Sequence, residues 1–349
     1  MKFRLLLIAS LLMLLTGIGA AAAQDADPNC HQLSESDCAL VTAGLTNFAT
    51  IESFNQDYSI SVSASGLDVM DERAPSSLSL VSTGSGPVAV NAEGVALALN
   101  MEGSVTNDTT TSGPLNMVAV DGKLYIQTPQ GEWIGVDRAE AASADSQLSM
   151  VNGLASGALD PAALFGLLAA GGTQTRLADE TLDGQAMAVF QFAGSTADLL
   201  SSDAATDLLV LAADALRESG NNQLAFALAF LPGLAPFMQG DVLVTRWLGI
   251  DDQQVHRVVV SANLTLDMNA MGTMMGNTVG QAMNATPIPG PTPEPLPPIV
   301  LDLQFSVDLS GHNATAAPTV PAGAREVSAD EFRQLIGGAF GGILPSMGG

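Results

Sequence analysis

The chain has 349 residues, 47% of them hydrophobic, with 11 basic residues against 36 acidic ones and a formal net charge of −25. Phosphate-directed nucleic-acid binding needs clustered Lys and Arg, so that function is excluded, and anionic lipid surfaces would repel such a chain. The apolar content can bury a large core, and the length allows one big domain or two small ones.

Lys2 and Arg4 precede the apolar run Leu5 to Leu15, and small residues continue to Ala23. This is the charged, apolar and Ala-x-Ala layout of a secretory signal peptide. Cleavage after Ala23 makes residues 1–23 a signal peptide and the protein secreted or extracytoplasmic, in a periplasm or at a cell surface. The alternative is an uncleaved N-terminal anchor, because the stretch just reaches the ~20 residues of a span. Without Lys2 and Arg4, nine basic residues remain against 36 acidic ones, a net charge of −27. No cysteine stands where lipid attachment would need one. In an exported chain Cys30 and Cys38 pair as a disulfide, here a clip on the start of the first helix. The other reading, a redox or metal pair, has only His31 nearby as an added ligand.

Ser34-Glu35-Ser36-Asp37 has the Ser-x-x-acid spacing of a helix start. Val41, Leu45 and Phe48 then share one helical face. Strand-like segments follow. Tyr58, Ile60, Val62 and Ala64 alternate with polar residues, Leu78 to Val81 is short, and Val88 to Met101 is broken by Gly94. Val105 and the Thr-rich stretch Thr106 to Ser112 lead into Met117 to Asp137. There two apolar runs meet at Asp121-Gly122, a pair suited to a type I′ hairpin because both residues take φ > 0. A second turn at Thr128 to Gly131 precedes the strand opened by Trp133. Asp137 to Asp160 reads as a loop, and Asp160-Pro161 as a helix start. Asp183-Gly184 joins Arg176 to Leu182 and Gln185 to Phe192 in another hairpin. Thr206 to Glu218 and Asn222 to Leu231 read as helices, the second interrupted by Pro232, Gly233 and Pro236.

The last third carries the cleanest strands. Asp241 to Gly249 contains Trp247, and a turn at Asp251-Asp252-Gln253 returns the chain. Val258, Val260, Ala262, Leu264 and Leu266 share one face, and Ile299, Leu301, Leu303, Phe305, Val307 and Leu309 repeat the pattern. Strict alternation means one buried face and one wet face. Residues 269–298, Met/Gly/Asn-rich and then Pro-rich, read as an excursion within one sheet. Ser328 and Glu331 set up a terminal helix. The expected organisation is a single domain over 24–340 with a loose tail at 341–349.

Three local features resemble the lipoprotein-carrier family of LolA-type proteins and the mycobacterial LppX/LprG-like lipoproteins. They are Asp121-Gly122-Lys123-Leu124-Tyr125 with Gly131-Glu132-Trp133, then Asp179 to Gly184, then Trp247 to Asp252 before Val255 to Val260. The resemblance covers roughly Cys38 to Glu326. It implies an α+β fold with a large curved antiparallel sheet, a half-barrel, around helices, and an apolar cavity between them that holds acyl chains. The lipobox of the mycobacterial members is missing, and the Pro-rich excursion departs from their late strands.

Catalytic patterns do not emerge. His31, His256 and His312 lie in separate segments without the spacing of a zinc site. No Gly-x-Ser-x-Gly elbow occurs, and Thr83-Gly84-Ser85-Gly86 is a turn without the following Gly-Lys-Ser/Thr of a phosphate loop. Adjacent acids such as Asp251-Asp252 at a turn are ordinarily solvated, and His256 reads as a strand-end residue facing solvent or satisfied by a neighbour. Asn107, Asn263, Asn284 and Asn313 begin Asn-x-Thr sequons.

The expectation is therefore a non-enzymatic, cofactor-free monomer that holds a lipid or other apolar small molecule, with no metal and no nucleic-acid partner. A cell-envelope lipid carrier is one form of it. Phe226, Phe230, Trp247, Val258, Val260, Leu264, Leu301, Leu303 and Phe305 are its candidate cavity lining. The rival is that these residues fill a close-packed core and the protein is an envelope structural or interaction protein with a protein partner.

Overall fold

The computed structural model describes residues 30, 32–70, 76–91, 94–107, 109–138, 140, 172–202, 222–274 and 295–340, with positions 206, 209, 210, 213 and 217 between them. Among these described residues thirteen strands form one sheet. The first six are β1 (Ser53–Ser65), β2 (Ser77–Asn91), β3 (Gly94–Asn107), β4 (Thr109–Val120), β5 (Lys123–Gln127) and β6 (Trp133–Asp137). The next three are β7 (Gly172–Arg176), β8 (Glu180–Leu182) and β9 (Gln185–Ser195). The last are β10 (Met238–Gly249), β11 (Val255–Leu266), β12 (Ile299–Ser310) and the two-residue β13 (Arg325–Glu326).

The order is β13-β6-β5-β4-β3-β2-β1-β12-β11-β10-β9-β7, with β8 also on β9. Two antiparallel meanders are thus fused where β12 pairs with β1. The sheet does not close, since its path ends at β13 and at β7. Alternation explains the fusion. Ile60 lies beside Phe305, Val62 beside Leu303 and Ala64 beside Leu301, so apolar side chains share one face while serines and acids take the other. β11 pairs directly with β12 although residues 267–298 separate them. The parallel pairing of β13 on β6 is too short to carry a sequence signal.

The described helices pack on a single face, called inner below. α1 (Glu35–Ala49) starts at Ser34, whose hydroxyl oxygen accepts the Asp37 N–H at 3.2 Å, and the Cys30–Cys38 disulfide holds its first turn, with Cα atoms 5.0 Å apart. α2 (Thr196–Ser201) is capped in the same way by Ser195. α3 spans Asn222–Leu234. α4 (Ala329–Phe340) begins at Ser328, which accepts the Glu331 N–H at 3.3 Å.

Asp121-Gly122 and Asp183-Gly184 both take positive φ at both residues, as type I′ turns require. Three expectations are corrected. Val88 to Met101 is not one interrupted strand; Asn91 pairs with Gly94, so the chain reverses there, at a turn lacking the Asn-Gly or Asp-Gly dipeptide. Leu78 to Val81 is only part of the 15-residue β2, which runs through its glycines because β1 and β3 flank it on both sides. Pro232 does not end its helix, which continues to Leu234. The signal peptide, the helix at Asp160-Pro161, most of Thr206 to Glu218, residues 275–294 and the tail lie outside the described residues.

Candidate ligand-binding face

The inner face carries two cores. The first joins Val62, Val244, Val260 and Leu303 of the sheet to Val41 of α1, Leu199 and Leu200 of α2, and Ala225, Leu231 and Leu234 of α3. The second joins Leu97, Leu99, Met117, Leu124, Ile126 and Ile134 to Phe332 of α4. Register shows that both lie on the same face of one continuous sheet. Between them the face is mostly apolar but only half-buried, through Tyr58, Ile60, Leu78, Leu80, Met101, Leu115, Phe305 and Val307, with Ser82 beside Ile60 as a polar interruption. Tyr58 folds over Gly84, where an added Cβ would come within 2.6 Å of the ring. Burial raises the Tyr58 phenol above its usual pKa, and the hydrogen bond with Ser82 opposes this.

Val258, Val260 and Leu264 of β11 and Leu301 and Leu303 of β12 are buried on this face. Phe305 shares it and is half-buried. Phe230 lies on α3. Two candidate lining residues are corrected. Phe226 is 61% exposed, because α3 turns Ala225 and Leu231 to the sheet instead. Trp247 lies on the outer face, out of step with Val244 and Leu248. Its indole N–H donates to Glu180 at 2.8 Å, and the Arg257 guanidinium sits 5.7 Å from its ring centre. Val242, Val244 and Leu248 set the buried register of β10, and an odd-numbered neighbour falls on the opposite side.

The same register puts a charge where sequence reasoning did not look. Arg246 occupies an inner position between Phe190 of β9 and Val258 of β11 and is 5% exposed. Gln174, opposite Phe192, is 6% exposed. Arg176 lies opposite Phe190, with its guanidinium 4.9 Å from that ring's centre. It also reaches Asp37 of α1 at 3.3 Å and pairs with Asp179. The signal was available, since a charge on the buried parity of Val242, Val244 and Leu248 breaks an otherwise apolar alternation.

The polar corner beyond β10 and β11 is held by hydrogen bonds and a ring contact. His256 Nε2 is 2.8 Å from Asp252 Oδ2, and His312 meets the His256 ring edge-on at 5.0 Å with its Nε2 3.0 Å from the Val255 carbonyl. Folding thus brings together two histidines that sequence separates. Asp252 is not simply solvated. Burial pushes its carboxyl pKa up, but bonds from Gln185, the Gln254 N–H and His256 outweigh this and leave it below the usual value. No group of three metal-ligating side chains occurs among the described residues.

No protein-family model and no curated protein matches the sequence. Among solved structures, the chain is similar to LprF from Mycobacterium bovis, at 12% identity and a TM-score of 0.37, over 84% of this chain and 99% of that one. It is similar to the Mycobacterium tuberculosis lipoprotein LppX, at 10% identity and a TM-score of 0.34, over 81% and 98%. A putative outer membrane lipoprotein-sorting protein domain from Vibrio parahaemolyticus is similar at 7% identity and a TM-score of 0.18, over 77% and 91%. Among the described residues no helix is long and apolar enough to cross a membrane.

Proposed function

We propose that the protein is an exported, non-enzymatic binder of a lipid or other apolar molecule, held against the inner face of the sheet. The observation that carries this reading is the half-buried apolar stretch between the two cores. A face of that kind lowers its free energy by accepting hydrocarbon. Each methylene it removes from water contributes about 0.8 kcal/mol, so an acyl chain needs few polar contacts. Export follows from reading residues 1–23 as a signal peptide, and a role in carrying lipid within a cell envelope is its natural extension. The candidate lining residues reduce in this proposal to Val258, Val260, Leu264, Leu301, Leu303 and Phe305, with Ile60 and Leu80 added; the Phe230 side chain lies outside the described ones.

Brominated stearate quenches tryptophan only on contact, which makes the face testable. Both natural tryptophans, Trp133 and Trp247, lie towards the outer face. Ile60→Trp places an indole on the inner stretch and Ser61→Trp places one on the other side of the same strand. Saturable quenching of the first but not the second is expected. Equal quenching of both, or none of either, contradicts binding at this face.

A further inference from the structure

We infer that the inner face carries a specific headgroup site, built from Arg246 and Gln174 around Phe190 and Phe192, for the anionic carboxylate or phosphate of an acyl lipid. The inference rests on the lipid-binding reading above and adds the chemical class of the ligand's polar end.

Arg246 is the only charged residue among the buried polar residues described. Its position is unusual on physical grounds, because burying a charge costs several kcal/mol unless good partners compensate. Arginine stays ionised at all working pH values and presents five N–H donors in a flat fork. It can therefore keep an intramolecular partner and still offer a bidentate edge to a carboxylate or phosphate. Gln174 supplies the independent observation. Its side-chain Nε2 is buried and has no hydrogen-bond partner among the described residues. An amide N–H left unpaired in the interior is destabilising, and an acceptor oxygen on a ligand would relieve that cost.

The register brings these groups together. On β9, Phe190 is flanked by Arg176 on one side and Arg246 on the other. Two residues along, Phe192 is flanked by Gln174 and Val244. Gln174 and Arg246 thus stand diagonally across β9, over a floor of two phenyl rings. The unpaired Gln174 N–H and the arginine fork are donors, so the site favours acceptors. Arg246 brings a guanidinium to this point in a chain of net charge −25. An acyl chain would run from this point across Phe305 and Ile60 on β12 and β1, towards the half-buried stretch. Arg176, already paired with Asp37 and Asp179, frames the site without needing the ligand.

The test uses the full-length mature chain and four defined probes, oleate and methyl oleate, phosphatidic acid and diacylglycerol, each competing against a fluorescent fatty acid. The wild type should bind each anion at least tenfold more tightly than its neutral counterpart. Arg246→Met should bring that ratio to within about twofold while leaving methyl oleate and diacylglycerol unchanged. Gln174→Leu, which removes an unpaired group and should not destabilise the fold, should reduce it severalfold. Whichever anion shows the larger ratio identifies carboxylate or phosphate as the preferred group. Equal binding of anionic and neutral probes by the wild type, or an unchanged ratio in both variants, overturns the headgroup site and leaves the lipid-binding reading standing. Absence of binding of all four probes overturns both.

Discussion

Asn269 and Leu296 exchange two hydrogen bonds across the base of the excursion between β11 and β12. The Asn269 amide N–H donates to the Leu296 carbonyl at 2.8 Å, and its oxygen accepts the Leu296 N–H at 2.7 Å. One side chain therefore imitates a strand partner and fastens a 26-residue segment at both ends, so that β12 enters the sheet in register with β11. Exposed hydrogen bonds contribute about 0.5–1.5 kcal/mol each. Asn269→Ala should speed amide exchange at Leu296 by roughly tenfold, or about 1.4 kcal/mol of local opening, with little change in exchange at Leu303. Unchanged exchange at Leu296 would show that the clasp does not hold the segment.

Gly240 is the tightest backbone approach in the β10–β11 pair. Its φ is +139°, and an added Cβ would lie 1.7 Å from the Asn263 carbonyl oxygen. That oxygen is backbone and has no rotamer to escape into. Gly240→Ala should destabilise the fold by about 3 kcal/mol or more, combining overpacking with strain, read as a lower midpoint in urea denaturation. Gly122→Ala, where φ is also positive but nothing lies within 4 Å, should cost about 1 kcal/mol. Similar losses in the two variants would contradict the assignment of the Gly240 effect to that contact.

How much of this was legible beforehand depended on the range of the interaction. The type I′ turns at Asp121-Gly122 and Asp183-Gly184, the caps at Ser34 and Ser328, and the alternation of β11 and β12 are local, and each was readable. The reversal at Asn91 to Gly94 was not, because Asn91-Ala92-Glu93-Gly94 lacks the Asn-Gly or Asp-Gly dipeptide of a two-residue hairpin. The pairing of β1 with β12 joins residues some 250 positions apart, and no local pattern encodes it. Among the candidate lining residues, hydrophobicity alone placed Trp247 and Phe226 in the interior. Parity along β10 would have moved Trp247 outward and drawn attention to Arg246. The exposure of Phe226 depends on which side of α3 meets the sheet, which a helix apolar on most sides does not reveal.

His312 gives the fold a pH dependence of defined sign. Burial lowers its pKa below the usual histidine value, and nearby His256 lowers it further. As pH falls below ~6.5 the unfolded chain takes up this proton first. Stability should be complete above that value and decline as pH drops towards the folded pKa. Asp252 acts in the opposite chemical sense, since its depressed carboxyl contributes stability that is lost only in strong acid, below its ordinary value of 3.8. The two effects separate. Urea midpoints should fall between pH 7.5 and 5, and His312→Gln, which retains a donor for the Val255 carbonyl, should flatten that decline. A slope unaffected by the substitution would assign it elsewhere.

The Cys30–Cys38 disulfide closes a short loop and ties the chain to the first turn of α1, beside Asp37, which bridges to Arg176 on β7. Loop entropy for so short a closure amounts to about 2–3 kcal/mol. The double variant Cys30→Ser, Cys38→Ser should lower the thermal midpoint by several degrees and weaken protection of α1 amides before those of the sheet. Identical melting of the oxidised, reduced and double-variant proteins would show that the clip adds nothing to the docking of α1.

The central claim is that the half-buried inner face between the two cores holds hydrocarbon. Native mass spectrometry of the protein purified from its own host, followed by solvent extraction and lipid analysis, tests it most directly. A stoichiometric adduct that releases an acyl lipid on extraction is the predicted result. A clean apo mass that stays unchanged after incubation with host lipids would contradict it.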